Sequence, residues 1–150
     1  MRLLVDTNVL VSATFAEATG HKESVAFLNR LLAGDRRWCL AWPVVYEYLR
    51  VVTHPRVFAR PLRWGEAFSQ VKELLSHPGL EFLAETDRHT GTLAAVVESA
   101  GGASGNLVHD CHLAALMAEH DVRRIVSYDR HFRLFPGIVS VLPEVADGKD

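Results

Sequence analysis

Two aspartates follow short apolar runs near opposite ends of the chain. Asp6 comes directly after the apolar residues 3–5, and Asp129 comes shortly after the apolar residues 125–126. Such runs predict short buried strands, and open α/β sheets bind ligands at the carboxyl ends of their strands. We therefore expect both carboxylates at one edge of one sheet. An Asp in a strand-to-helix turn is also a common helix cap, so Asp6 alone fits a purely structural role equally well.

Two further acids, Glu47 and Asp110, lie in the early turns of predicted helices. Asp110 has apolar neighbours at helical spacing, and a buried carboxylate is costly unless it is paired or binds a cation. Glu47 lies at the margin of an apolar helix face, where the helix dipole alone would favour an acid. Because helices that follow parallel strands begin at the carboxyl edge of the sheet, both side chains can converge on Asp6 and Asp129.

Four carboxylates in one cleft would repel each other strongly unless a divalent cation neutralised them. Ligands that are all oxygen atoms select hard cations, so we expect Mg²⁺, for which Mn²⁺ can substitute. One or two such ions would activate water for attack on a phosphodiester. The predicted reaction is therefore phosphodiester hydrolysis, with catalytic carboxylates at Asp6, Glu47, Asp110 and Asp129.

Predicted strands and helices alternate along the chain. The strands cover residues 3–5, 38–41, 80–83, 124–127 and 138–141. The helices cover residues 9–16, 21–33, 43–52, 64–77, 87–100 and 107–120, with Asn8, Thr86 or Asp87, and Asn106 as caps of three of them. The alternation predicts a three-layer α/β/α fold with a mostly parallel central sheet. A chain of 150 residues with 49% hydrophobic residues is expected to form one domain, residues 1–150.

The overall charge favours no class of partner, because 16 basic and 18 acidic residues nearly cancel. Basic residues are nevertheless concentrated after Glu47, where the next acid is Glu66. Guanidinium groups bind phosphate through paired hydrogen bonds, so we treat this local patch as a hypothetical phosphate-binding surface. The candidate residues are Arg50, Arg56, Arg60 and Arg63, together with Arg130 beside Asp129.

Two cysteines, Cys39 and Cys111, form no disulfide framework and are expected to be buried small hydrophobic residues. The first residues contain neither a signal peptide nor a membrane-spanning run, so we expect a cytoplasmic protein. The glycines in residues 101–105 lack the spacing of a phosphate-binding loop, which argues against a nucleotide pocket there. The aromatic residues Trp42, Phe58 and Trp64 are expected to lie in the core.

Four segments resemble the PIN-domain family, and more narrowly the VapC-type toxins of bacterial toxin–antitoxin pairs. They are residues 4–10 (LVDTNVL), 43–47 (PVVYE), 106–110 (NLVHD) and 127–132 (SYDRHF). The resemblance extends from residue 3 to about residue 141. The order and spacing of its four acids are a far more specific signature of the family than any single Asp.

The resemblance implies a Mg²⁺-dependent endoribonuclease that is homodimeric and is inhibited by a cognate VapB-type antitoxin. It assigns the four acids to the acidic positions of the family, with Asp6, Asp110 and Asp129 as metal ligands. Thr7 or Asn8, together with Ser127, fall on supporting polar positions. His131 departs from the pattern, since many relatives carry an acid there.

Three other interpretations compete with a nuclease. A zinc site in residues 109–112 is disfavoured because consecutive helical residues point about 100° apart, and no further Cys-His cluster completes a tetrahedral set. The His109–Asp110 pair is similar to that of HD-type phosphohydrolases, but those enzymes are all-helical. A catalytically inactive PIN-like module that binds RNA or protein remains the alternative. Metal-dependent RNA cleavage that is lost on Asp6→Asn would distinguish a nuclease from such a module.

Overall fold

A five-stranded parallel sheet organises the chain in a computed structural model that describes residues 1–146. The strands are β1 (Leu4–Val5), β2 (Trp38–Ala41), β3 (Leu80–Leu83), β4 (Arg124–Val126) and β5 (Val139–Val141). The helices are α1 (Thr7–Thr14), α2 (His21–Ala33), α3 (Trp42–Val52), α4 (Trp64–Leu75), α5 (His89–Ser99) and α6 (Leu107–Glu119), with 3-10 helices at His131–Leu134 and Pro143–Val145. The predicted α/β fold with a parallel sheet is confirmed.

The strand order β3-β2-β1-β4-β5 places β1 at the centre of the sheet. Leu4 and Val5 are fully buried because helices cover both faces of a parallel sheet, which explains their uninterrupted apolar run. The chain leaves β1 toward β2 on one side and leaves β4 toward β5 on the other side. The crevice between the carboxyl ends of β1 and β4 is therefore the topological switch point, where sheets of this type bind ligands.

The helices form two layers because crossovers between parallel strands are right-handed. The connections that step from β1 through β2 to β3 contain α1 to α4, and the return from β3 to β4 contains α5 and α6. The apolar stripe of α3 is buried as its spacing predicts; its members are Val44, Val45, Tyr48, Leu49 and Val52. The core thus lies between the sheet and each helical layer.

Two predicted helix caps are wrong. Helix α1 begins at Thr7, and Asp6 rather than Asn8 is its N-cap residue: the backbone N–H of Thr7 donates to Oδ1 of Asp6 at 2.7 Å. Asn8 lies inside the first turn, which leaves its amide available for other partners. Arg88, not Thr86 or Asp87, precedes α5, and Asn106 precedes α6 without a capping bond from its side chain.

Two of the aromatic residues expected in the core are exposed. Trp42 is 50% exposed and Trp64 is 60% exposed, because each begins a helix at its solvent margin and contacts an aromatic residue one turn later. Phe58 is partly buried and packs against the core, where its ring stacks on the buried Phe15.

Both cysteines are buried and free, as predicted. In residues 1–146, no helix combines the length and the apolar character needed to cross a membrane.

Candidate active site

The four predicted carboxylates line one cleft of about 520 Å³ at the switch point of the sheet. Asp6 follows β1 at its carboxyl end, and Asp129 lies in the loop after β4. Glu47 projects from the second turn of α3, and Asp110 projects from the first turn of α6. The cleft therefore assembles side chains from four segments that are far apart in the sequence.

Asp6 is held by three hydrogen bonds and is only 5% exposed. Its Oδ1 accepts from the backbone of Thr7, and its Oδ2 accepts from Nδ2 of Asn8 at 2.8 Å and from Oγ of Ser127 at 2.5 Å. These bonds fix the orientation of the carboxylate. The three predicted supporting residues thus all contact Asp6 directly.

Thr7 and Asn8 also connect Asp6 to neighbouring elements. The Thr7 hydroxyl donates to the backbone oxygen of Val44 in α3 at 3.3 Å. Oδ1 of Asn8 accepts from the backbone N–H of Tyr128 at 3.1 Å, and its Nδ2 also approaches Oγ of Ser127 at 3.1 Å. Helices α1 and α3 and the loop after β4 are therefore joined around one carboxylate.

Burial and mutual repulsion disfavour negative charge at two of these acids. Burial raises the pKa of the Asp6 carboxyl, although hydrogen bonds from Ser127 and Thr7 oppose the shift. Burial, reinforced by the charges of Asp129 and Asp6, raises the pKa of Asp110 to about 6. Such raised values are typical of carboxylates that share a site and lack a countercharge.

The imidazole of His131 lies between Asp110 and Asp129. Its Nδ1 is 3.4 Å from Oδ2 of Asp110 and 3.2 Å from Oδ1 of Asp129. The backbone N–H of His131 also donates to Oδ1 of Asp129 at 2.8 Å. The ring of His131 thus lies close to a carboxylate oxygen of each aspartate.

Glu47 differs from the three aspartates because it has its own cationic partner. Nε and a terminal nitrogen of Arg50 bind its two oxygens at 2.9 and 2.6 Å. This pair lowers the pKa of the Glu47 carboxyl, with burial opposing the shift. Glu47 therefore remains ionised without help from a metal.

The predicted basic residues are distributed unevenly around the cleft. Arg50 lines it, whereas Arg56, Arg60 and Arg63 are exposed along the segment between α3 and α4. Arg130 is exposed beside Asp129 in the loop after β4. Arg50 is the only one of the five predicted arginines among the residues that line the cleft in the described part of the chain.

Two further polar residues, one in α6 and one directly before it, line the cleft and were not predicted from the sequence. They are Asn106 and His109. The positive character of His109 favours ionisation of Asp6, Glu47 and Asp110. Helical spacing could have identified Asn106, because it lies four residues before Asp110 and four-residue neighbours share a helix face.

The donor set fits a divalent cation. Ligand atoms of Asp110, Asp129 and His131 lie within 4.8 Å of one another, and Asp6 adds a buried carboxylate beside them. Burial raises the pKa values of Asp6 and Asp110, and a bound cation would offset the cost of ionising them. The acidic residues can therefore bind a divalent metal ion.

Comparisons with known proteins identify the family to which the chain belongs. The PIN-domain family model matches residues 3–138. The chain is 38% identical to ribonuclease VapC48 of Mycobacterium tuberculosis over 133 residues, which cover 89% of this chain and 91% of that protein. It is also 38% identical to ribonuclease VapC37 of the same organism over 135 residues, which cover 90% of this chain and 92% of that protein.

Solved structures of low sequence identity share the fold. A Rickettsia felis VapBC2 complex bound to a promoter DNA fragment matches with a TM-score of 0.67 at 17% identity, covering 95% of this chain and 98% of that chain. VapC20 of Mycobacterium tuberculosis, a toxin that cleaves the sarcin–ricin loop, matches with a TM-score of 0.67 at 15% identity. The match covers 94% of this chain and 99% of that chain. The chain therefore belongs to the PIN-domain family, and its sequence identity groups it with the VapC-type members.

Proposed function

We propose that residues 1–150 form a single PIN-like nuclease domain that acts as a metal-dependent endoribonuclease toxin. The observation that carries this proposal is the convergence of Asp6, Glu47, Asp110 and Asp129 on one cleft at the switch point. The ribonuclease names of the relatives that are 38% identical support RNA as the substrate class. We propose Mg²⁺ as the metal, with Mn²⁺ as a substitute, because carboxylate oxygens dominate the donor set.

Asp6, Asp110 and Asp129 are the proposed metal ligands. When bound, the cation supplies charge neutralisation and activates water for attack on the phosphodiester. Ser127, Asn8 and Thr7 hold the Asp6 carboxylate in one orientation through their hydrogen bonds. A carboxylate that is held in place before the reaction can stabilise the transition state without first reorienting.

Glu47 and Arg50 are proposed to act as a pair at the side of the cleft. Arg50 can bind either Glu47 or a phosphate of the RNA backbone, since both present oxygen pairs that match a guanidinium group. If Arg50 turns to RNA, the ionised Glu47 carboxylate becomes available to accept a proton from water. Arg56, Arg60, Arg63 and Arg130 are proposed to contact RNA phosphates farther from the cleft.

The proposed partner is a VapB-type antitoxin that blocks the cleft. Support comes from fold neighbours that were solved as toxin–antitoxin assemblies, among them VapBC-1 of nontypeable Haemophilus influenzae. We also propose that the chain is a homodimer and acts in the cytoplasm. Sedimentation of the protein with and without its antitoxin would test the assembly state.

The decisive experiment measures RNA cleavage by purified protein that is free of antitoxin. We expect cleavage with Mg²⁺, loss of cleavage with EDTA, and loss with Asp6→Asn. Asp35→Asn is the matched control, because Asp35 is exposed and precedes β2 at the opposite edge of the sheet. Sequencing of the cleaved ends after induction in cells would identify the RNA target.

Cleavage that survives both EDTA and Asp6→Asn would contradict the proposal. Metal-independent RNA or antitoxin binding without any cleavage would instead support the alternative, a catalytically inactive PIN-like module. Circular dichroism of each variant would separate loss of function from loss of fold.

A further inference from the structure

A second group of metal-binding side chains lies on the other side of α6 from the carboxylate cleft. Glu85 lies in the loop after β3, His89 is the first residue of α5, and His112 lies in α6. One ligand atom of each lies within 4.8 Å of those of the other two. Successive helical residues are rotated by about 100°, so His112 points about 200° away from Asp110. The cluster is therefore distinct from the cleft.

A buried carboxylate orients His89 within this cluster. The side chain of Glu119 is fully buried, and its Oε2 accepts from Nδ1 of His89 at 2.7 Å. Its Oε1 accepts from both the backbone N–H and the hydroxyl of Thr86. With its Nδ1 proton bound to Glu119, His89 presents the lone pair of Nε2. A carboxylate that accepts a hydrogen bond from the other ring nitrogen is the usual support of a metal-binding histidine.

Glu85 and His112 are already arranged as neighbouring ligands. Nε2 of His112 is 2.7 Å from Oε1 of Glu85, and the two side chains are 31% and 50% exposed. Two ligands of a tetrahedral zinc ion lie about 3.3 Å apart when each bond is about 2.0 Å long. An ion could therefore replace the shared proton after a shift of about half an ångström in exposed side chains. The rings of His89 and His112 meet edge to face, with centroids 5.3 Å apart.

We propose that Glu85, His89 and His112 bind a Zn²⁺ ion that links the β3–α5 segment to α6. Two imidazoles and one carboxylate select zinc over Mg²⁺, and three protein ligands leave a fourth position for water. This set of ligands was not predicted from the sequence, because Glu85 is 27 residues away from His112. His112 and Asp110 both lie in α6, so bound zinc would stabilise the helix that carries Asp110.

Zinc binding is tested most clearly in an Asp110→Asn background. This change weakens the cleft as a competing site, since Asp110, Asp129 and His131 also form a metal-binding group. After removal of metal with EDTA, Zn²⁺ is titrated against a chromophoric chelator. We expect one tightly bound equivalent, and a thermal unfolding midpoint that rises with zinc concentration.

His112→Gln in the same background is expected to weaken zinc affinity by at least about 100-fold. That factor is the upper limit for loss of a hydrogen bond that only supports a ligand, and loss of a ligand should cost at least as much. Glu85→Gln, at an exposed loop position, is expected to weaken it by at least about tenfold. His54→Gln is the matched control: its Nδ1 accepts from the backbone N–H of Arg56 within the segment between α3 and α4, away from the cluster. It should bind zinc like the background.

Absence of tight zinc binding in the Asp110→Asn background would overturn the proposal. A zinc affinity in both His112→Gln and Glu85→Gln equal to that of the background would also overturn it. If His112→Gln does not fold, the exposed Glu85→Gln decides the question. No arm measures RNA cleavage, so the result is independent of the nuclease assignment.

Discussion

The hydroxyl of Ser127 donates a 2.5 Å hydrogen bond to Oδ2 of Asp6, although the two residues are 121 positions apart in the chain. Oγ of Ser127 also accepts from the backbone N–H of Asp129 at 2.9 Å. Ser127 therefore links the two aspartates that follow the adjacent strands β1 and β4. Adjacent parallel strands place their exits side by side, which is why one hydroxyl can reach both.

Ser127→Ala should reduce cleavage about 10–100-fold and raise the Mg²⁺ concentration needed for half-maximal rate, because loss of a supporting hydrogen bond typically weakens a metal site by that factor. Steady-state cleavage of an RNA oligonucleotide across a Mg²⁺ series would measure both effects. Ser140→Ala, in the neighbouring β5, is the control and should behave like the wild type. An unchanged Mg²⁺ dependence in Ser127→Ala would contradict a supporting role.

Asp110→Asn should stabilise the metal-free protein at pH 7.5 by about 1–3 kcal/mol. The folded-state pKa of Asp110 is about 6, above its ordinary value of 3.8, so ionising this group costs stability. The cost is absent below about pH 4, develops as the pH rises from 3.8 to 6, and is complete above that range. Urea unfolding in EDTA at several pH values would measure the difference.

The advantage of Asp110→Asn should therefore shrink toward zero near pH 4 and should shrink or reverse when Mg²⁺ is added at pH 7.5. Asp121→Asn, with a side chain that is 78% exposed, is the control and should change stability little at either pH. Equal stability of Asp110→Asn and wild type at pH 7.5 would show that burial of this carboxylate carries no such penalty.

Arg50→Ala should weaken RNA binding and reduce its salt dependence, because Arg50 lines the cleft. For single-stranded RNA, loss of one phosphate contact lowers the slope of log affinity against log salt by about 0.7. Arg50→Lys should be intermediate, since it keeps the charge but loses the paired hydrogen bonds. Fluorescence anisotropy in the Asp6→Asn background, in which we expect no cleavage of RNA, would measure the slope.

Arg123→Ala is the control for Arg50, because Arg123 is exposed and precedes β4 at the opposite edge of the sheet. It should leave the slope unchanged. The outer patch is tested separately with Arg56→Ala combined with Arg60→Ala. If that double variant leaves cleavage and its salt dependence unchanged, the segment between α3 and α4 is not an RNA-binding surface.

Gly20→Ala should destabilise the protein by about 1–3 kcal/mol, because Gly20 has a φ of +77° and a Cβ there would clash with the Tyr128 hydroxyl. That hydroxyl donates to the Gly20 oxygen at 3.0 Å and contacts Oγ of Ser24 at 2.9 Å, so the clash would disrupt the contacts of Tyr128, the residue before Asp129. Gly91→Ala is the matched control within α5, where a Cβ meets open space. It should stabilise by about 0.5–1 kcal/mol in urea unfolding. Similar changes of unfolding free energy in Gly20→Ala and Gly91→Ala would contradict the inferred clash between a Cβ at position 20 and Tyr128.

Much of the fold could be predicted because the relevant signals are local. The helix His21–Ala33 and the strands Trp38–Ala41 and Leu80–Leu83 have the predicted bounds, since apolar periodicity and nearby Gly or Pro determine them. Caps were less predictable, because Asp6, Thr7 and Asn8 all have side chains suited to the end of a helix. Trp42 and Trp64 could not be assigned to the surface, because their exposure depends on which helix face meets the sheet.

The sequence by itself determined which acids follow strands, which begin helices and therefore which edge of the sheet they share. Only the tertiary structure decided that Glu47 is paired with Arg50, that His131 lies between Asp110 and Asp129, and that Glu85 and His89 meet His112. The strand-exit placement of Asp6 is a local property of an apolar run and the turn that follows it. The pairings depend on distances of a few ångströms between side chains on separate elements, which packing of the complete core determines.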